Sequence, residues 1–119
     1  MIDSSIRKRS AHAEIKLLLD YSHQLYQRYL VSNKKFVYAS ILRKVNGRLY
    51  ERLLDGIAYL KDETYADALE FMLHLDVWMT TWDSEYEEKK PKLLDDFTFE
   101  NDINFPKTSV EKILSDLED

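Results

Sequence analysis

No proline occurs before Pro91, and the glycines of the 119-residue chain are Gly47 and Gly56 alone. Turns and strand corners depend on these two residue types, so most of the chain has little with which to build a sheet. Long helices with few breaks are the natural outcome, and the apolar spacing agrees. Ile15, Leu18, Leu19, Ser22, Leu25, Tyr26 and Tyr29 recur at intervals of three and four, which predicts a first helix over 4–30 capped by Ser4 or Ser5. Val31-Ser32-Asn33 is a polar break. A second helix over 35–60 sets Tyr38, Leu42, Val45, Leu49, Leu53, Ile57 and Leu60 on one stripe, widened by Ile41. Gly47 and Gly56 fall inside it at a cost of about 1 kcal/mol each relative to Ala, and read as points of close packing or local relaxation.

Asp62-Glu63-Thr64 supplies a cap and first-turn acid for a third helix over 63–88. Its main stripe is Tyr65, Leu69, Met72, Leu75, Met79, Trp82 and Tyr86, and a second set, Phe71, Leu73, Val77 and Trp78, lies elsewhere around the cylinder. A helix apolar on most of its circumference is central to a bundle or covered by a partner. Beyond Pro91, acidic and aromatic residues alternate without helical spacing, as expected of a segment lying extended across the bundle on Phe97, Phe99, Ile103 and Phe105. Thr108 with Glu111 three residues later spells a capping box and opens a short last helix over 109–117. The expected architecture is all-α: one domain over 1–119, a small bundle of three long helices plus a short C-terminal helix, joined by an extended acidic-aromatic segment.

A hydrophobic content of 45% is enough for a core without staples. Cys 0 removes disulfides, thiolate nucleophiles and cysteine metal sites together. The charged start, Met1 to Arg9, is followed by no apolar run of signal-peptide kind, and no segment reaches membrane-spanning length. The expected location is the cytoplasm, with no membrane contact.

Charge is divided between the halves. Residues 1–60 hold eleven Lys and Arg against five acids, whereas residues 61–119 hold six Lys against seventeen acids, within a net charge of −5. Such asymmetry speaks about partners, not about fold. Nucleophile elbows, phosphate-cradling glycine loops and zinc-protease strings are missing, so the sequence points to no catalytic residue and no cofactor.

Three constellations carry chemistry. Asp20 and His23 on the first helix, with Glu70 and His74 on the third, have the three- and four-residue spacing that puts a carboxylate and an imidazole on one helix face. A carboxylate and histidine metal enzyme would use them; the competing reading makes His74 a core or rim histidine and leaves Asp20 and His23 in solvent. Arg43, Lys44, Arg48 and Arg52, joined by Arg7, Lys8 and Arg9, could neutralise phosphates of a nucleic acid, though the acidic total makes nucleic acid the lesser reading. The leading constellation runs from Trp78 to Phe105. Trp78, Trp82, Tyr86, Phe97 and Phe99 mix with Asp83, Glu85, Asp95, Asp96 and Glu100, giving aromatic anchors ringed by carboxylates, a pattern that suits a protein interface. The competing reading is that the aromatics close the protein's own core. On this basis the chain is expected to be a non-enzymatic regulatory protein that occludes a basic partner protein, in the manner of an immunity protein, antitoxin or adaptor. A homodimer is the expected self-association, two-fold pairs being the commonest oligomers.

Overall fold

The computed structural model describes residues 4–100 and 104–118. Four helices follow one another: α1 (Ser4–Val31), α2 (Phe36–Gly56) prolonged by a 3-10 turn (Ile57–Tyr59), α3 (Asp62–Lys89) and α4 (Lys107–Glu118). No strand occurs among the described residues, and the bundle is the expected all-α one. A helix of 28 residues is about 42 Å long at 1.5 Å per residue, which accounts for overall extents of 48 × 23 × 23 Å. No helix among the described residues is long and apolar enough to cross a membrane.

α1 lies along α2 and α3 packs on α2, while α4 closes against α1 and α3. The fourth wall of the bundle is therefore made in two different ways. At one end it is α4, whose Val110, Ile113 and Leu117 join Ile15, Leu49, Leu53, Ala68, Phe71 and Leu75 in a core drawn from all four helices. At the other end it is the extended strap ahead of α4, described over 91–100 and 104–106, which inserts Phe97 between Phe36, Ala39 and Trp82.

The strap also terminates α2. Lys35 opens that helix without a side-chain cap, and the first N–H groups of a helix have no partner within it. Phe36 N–H donates instead to the Asp95 carbonyl at 2.8 Å, Val37 N–H to the Leu93 carbonyl at 2.9 Å, and Phe97 N–H to the Lys34 carbonyl at 2.9 Å. An antiparallel bridge joins Lys35 and Asp96, with Lys35 Nζ 2.6 Å from the Asp96 carboxylate. The α1–α2 corner feeding this contact passes through the left-handed region at Asn33 (φ 65°) and Lys34 (φ 60°).

Several local expectations change. The buried face of α3 is Thr64, Ala68, Phe71, His74, Leu75 and Trp82, so it keeps Leu75 and Trp82 of the expected stripe, with Met72 and Met79 packed partly buried against the core, and shifts toward Phe71. Tyr65 is 53% exposed and Leu69 47%, while Phe71 of the second set has no exposure. With apolar residues on most of its circumference, α3 gives no unique stripe, and the positions of α2, α4 and the strap decide which are covered. Asp62 and Glu63 lie inside the first turn rather than capping it. Lys61 is the N-cap, and its N–H donates to Asp116 Oδ2 at 2.8 Å. The capping box does not form as expected, because α4 starts at Lys107 and Ser109, not Thr108, makes the buried contact: its Oγ lies 2.8 Å from Glu70 Oε2 and 3.0 Å from Asp67 Oδ1. At Gly56 an added Cβ would sit 3.5 Å from Ile15 and 3.6 Å from Ala11, the expected close approach of two helices. Ser4 and Ser5 lie within α1, and anchoring by Ile103 lies outside the described residues.

Candidate functional site

An extended chain is thinner than a helix: about 4.8 Å separates neighbouring strands, whereas a helix with its side chains is about 10–12 Å across. Where the strap replaces a helix as the fourth wall, the space between α1 and α3 is incompletely filled. A cleft of about 580 Å³ lies there, bounded by α1, α2, α3 and the strap residues Thr98, Phe99, Asn104 and Phe105. The strap descends α3 in register: Phe97 meets Trp82 at 5.1 Å between ring centroids, Phe99 meets Trp78 at 6.0 Å, and Phe105 meets His74 at 5.5 Å and Phe71 at 5.8 Å. His74, Trp78 and Trp82 are four residues apart, so they form one ladder along α3 about 12 Å long.

The walls are apolar with a few polar groups. Asn46 is buried on the inner stripe of α2, where Ser22 Oγ of α1 donates to its Oδ1 at 2.9 Å. His74 and Trp82, at 9% and 7% exposure, each carry a buried ring nitrogen, Nδ1 and Nε1, with no hydrogen-bond partner among the described residues. Burial lowers the His74 pKa below its ordinary value, outweighing a hydrogen bond with the Asn104 backbone that raises it. The imidazole is therefore neutral near pH 7, and with one nitrogen engaged on Asn104 its Nδ1 is an acceptor. Trp82 Nε1–H can only donate. No Asp or Glu lines the cleft among the described residues, although the chain holds 22 of them, while Lys34 and His23 do.

The acidic-aromatic residues singled out in the sequence fall into two groups. Trp82 and Phe97 lie in the core, and Trp78 and Phe99 are half-buried beside them. Tyr86 is exposed but stacks on Trp82 at 5.5 Å. Most of the acids have internal duties: Asp83 takes both Arg43 Nε at 2.9 Å and Nη2 at 3.0 Å, Glu85 pairs with Lys89 at 3.0 Å, Asp96 pairs with Lys35, and Asp95 accepts the Lys92 N–H at 2.8 Å. Glu100 is exposed and has no ion pair among the described residues.

The basic stripe is likewise divided. Arg43 is held by Asp83, and Arg52 lies 3.3 Å from Asp55 and 3.8 Å from Glu14, whereas Lys44 and Arg48 are exposed. Asp20, His23, Glu70 and His74 do not converge as a ligand set. Asp20 lies 3.4 Å from Lys16 Nζ, Glu70 faces Ser109 of α4, and no three His, Cys, Asp or Glu residues come together as metal ligands among the described residues. Sequence reasoning missed the cleft and with it Asn46 and Lys34. A signal for Asn46 existed, a polar residue on a stripe otherwise made of Leu42, Val45, Leu49 and Leu53. Comparisons of the chain with protein-family models, with curated proteins and with solved structures find no match.

Proposed function

We propose that the protein is a non-enzymatic binding protein whose ligand is a small, largely apolar molecule held in the cleft between α1, α3 and the strap. One observation carries this reading: a cleft of about 580 Å³ lies between α1, α3 and the strap, with Leu19, Leu42, Leu75, Trp78 and Phe99 among the described residues that line it. The volume falls in the range of small-molecule sites, which are apolar with a few orienting polar groups. The chemistry of the walls supports binding over turnover, since the Ser22 hydroxyl is spent on Asn46 and the His74 imidazole packs edge-on to Phe105. The chain holds Trp 2, and both indoles line the cleft. Titration with apolar fluorophores should quench or shift tryptophan emission and raise Tm. Emission and Tm that stay constant across a panel of such compounds would remove the reading.

A second reading, occlusion of a basic protein, draws on the end of the bundle where α3 meets the strap. Leu93 and Leu94 are 60% and 77% exposed there, near Glu87 and Glu88, which have no ion pair among the described residues. Its anchors are these leucines in place of Trp82 and Phe97. Stepwise salt elution of captured proteins, lost in Leu94→Lys, tests it.

A further inference from the structure

We propose that the protein assembles head to tail with copies of itself, the outer face of α1 in one copy docking on the outer face of α3 in the next. Each face is a stripe of apolar side chains that the fold leaves uncovered. On α1, Leu17 and Val31 are 68% and 87% exposed, and Ile6 and Tyr21 are exposed as well. At about 100° of turn per residue, Ile6, Leu17 and Val31 fall within about 40° of one another and Tyr21 borders them, so the stripe runs the length of the helix. On α3, Tyr65, Leu69 and Leu73 follow one another at intervals of four, and all three are exposed. The bundle itself does not use either stripe, because α1 turns Ile15 and Leu25 inward and α3 turns Ala68, Phe71 and Leu75 inward. Exposed apolar residues gathered on one helix face mark an interaction surface.

Charge says what covers each stripe. Both acids of α1 are engaged within the molecule, Glu14 lying 3.8 Å from Arg52 and Asp20 3.4 Å from Lys16. Arg9 and Arg28, which flank the α1 stripe, are exposed with no ion pair among the described residues. The balance on α3 is the reverse. No Lys or Arg occurs in it before Lys89, and Asp62 and Asp76 lie seven residues to either side of Leu69, on the face of the stripe. Both are exposed; Asp62 has no ion pair among the described residues, and Asp76 meets a neutral group, the Tyr50 hydroxyl. An apolar stripe with free bases therefore stands on one helix and an apolar stripe with free acids on another. Pairing α1 with α1, or α3 with α3, would bring unpaired charges of one sign together, whereas α1 against α3 of a second copy matches both the apolar residues and the charges. α1 and α3 each pack against α2 and make no comparable contact with each other, so their outer faces point different ways. The contact is heterologous: a copy that uses its α1 on one neighbour keeps its α3 for another, and assembly continues unless the rotation closes a ring.

The test is sedimentation of the full chain over a range of concentrations, at low salt and in about 1 M salt, where the Debye length is about 3 Å. Mass should rise with concentration at low salt, and association should weaken severalfold at high salt. Leu17→Asp sets an acid against the acids of α3, and Leu73→Lys sets a base against the bases of α1. Each variant alone should be monomeric, and the two mixed in equal amounts should form a pair and nothing larger, since each supplies the face the other lacks. Both changes are at exposed positions, and circular dichroism checks that the helices persist. Arg28→Glu should weaken association, and Lys44→Glu, the same change of charge on α2, should leave it intact. A chain that stays monomeric at every concentration overturns the proposal; if that chain floats with vesicles of anionic lipid and Leu17→Asp does not, the α1 stripe covers a membrane surface instead. Assembly by either variant alone, or variants that stay monomeric when mixed, overturns the pairing of α1 with α3.

Discussion

Two buried ionisable residues give the stability of this protein separate pH windows. The His74 pKa is lowered by burial, so as pH falls the unfolded chain takes up that proton first. Stability from this source is complete above the ordinary value of 6.5 and is lost progressively below it, until the folded imidazole protonates too. Urea midpoints should therefore fall between pH 7.5 and 5.5, and His74→Leu should flatten that fall; an equal fall in the variant would assign it elsewhere. Asp116 acts lower on the scale. Burial pushes its carboxyl up, but the Lys61 N–H, the Thr64 hydroxyl and the Lys8 and Lys61 ammonium groups together bring it below its ordinary value. Its contribution is present above the unfolded value of 3.8 and disappears as pH falls through the folded one. Asp116→Asn should remove the steepest part of the acid transition below pH 4. A third residue is separable from both: Lys90 closes α3 at φ 43° with its N–H on the Tyr86 carbonyl at 2.8 Å, and Lys90→Gly, freed of the left-handed penalty, should stabilise the fold by about 1 kcal/mol in urea titrations.

Among the elements, the strap is where sequence and structure part company. The three long helices and α4 were legible because spacings of three and four survive whatever packs against them, and their ends move by a few residues at most. The strap carries no period. Its aromatic residues looked equally suited to an interface and to a core, and the difference is decided by hydrogen bonds no pattern announces, those from Phe36 and Val37 to the strap carbonyls. For the same reason the cleft was invisible: it exists because an extended chain stands where a helix would have filled the space. The Tyr29 hydroxyl also donates to the Phe97 carbonyl, fixing the strap at the residue whose ring is most enclosed. Phe97→Ala should cost about 3–5 kcal/mol and release the α2 amides of Phe36 and Val37 to hydrogen exchange. Phe99→Ala, half-buried on Trp78, should cost less and leave those amides protected. Equal losses would show that the strap is held along its length and not at Phe97.

For the whole molecule the charge division resolves inward. Lys8, Lys35 and Arg43 of the basic half meet Asp116, Asp96 and Asp83 of the acidic half, so much of the asymmetry that suggested a basic partner is the bundle's own complementarity. The Lys35–Asp96 and Arg43–Asp83 pairs are partly exposed and contribute about 0–1 kcal/mol each, Asp116 is buried, and cohesion rests mainly on the apolar clusters. These are unequal. The cluster around Ile15, Leu49, Phe71 and Ile113 draws on all four helices, whereas Phe36, Trp82 and Phe97 at the strap end, and Leu25, Leu42 and Val45 beside them, form smaller groups with the cleft alongside. Protection from exchange scales with such packing, and loosely packed units open below the global free energy. Amides of Leu49, Leu53, Phe71 and Ile113 should exchange only through global unfolding, and those of Leu25 and Phe97 through a smaller opening that involves the strap and the end of α1. Saturation with an apolar fluorophore that binds the cleft should raise protection at Leu25 and Phe97 and narrow that difference, because a ligand between α1, α3 and the strap ties these walls together. Uniform protection in the free protein would mean that the cleft does not divide the core, and protection that rises equally at both ends on binding would place the ligand somewhere other than the cleft.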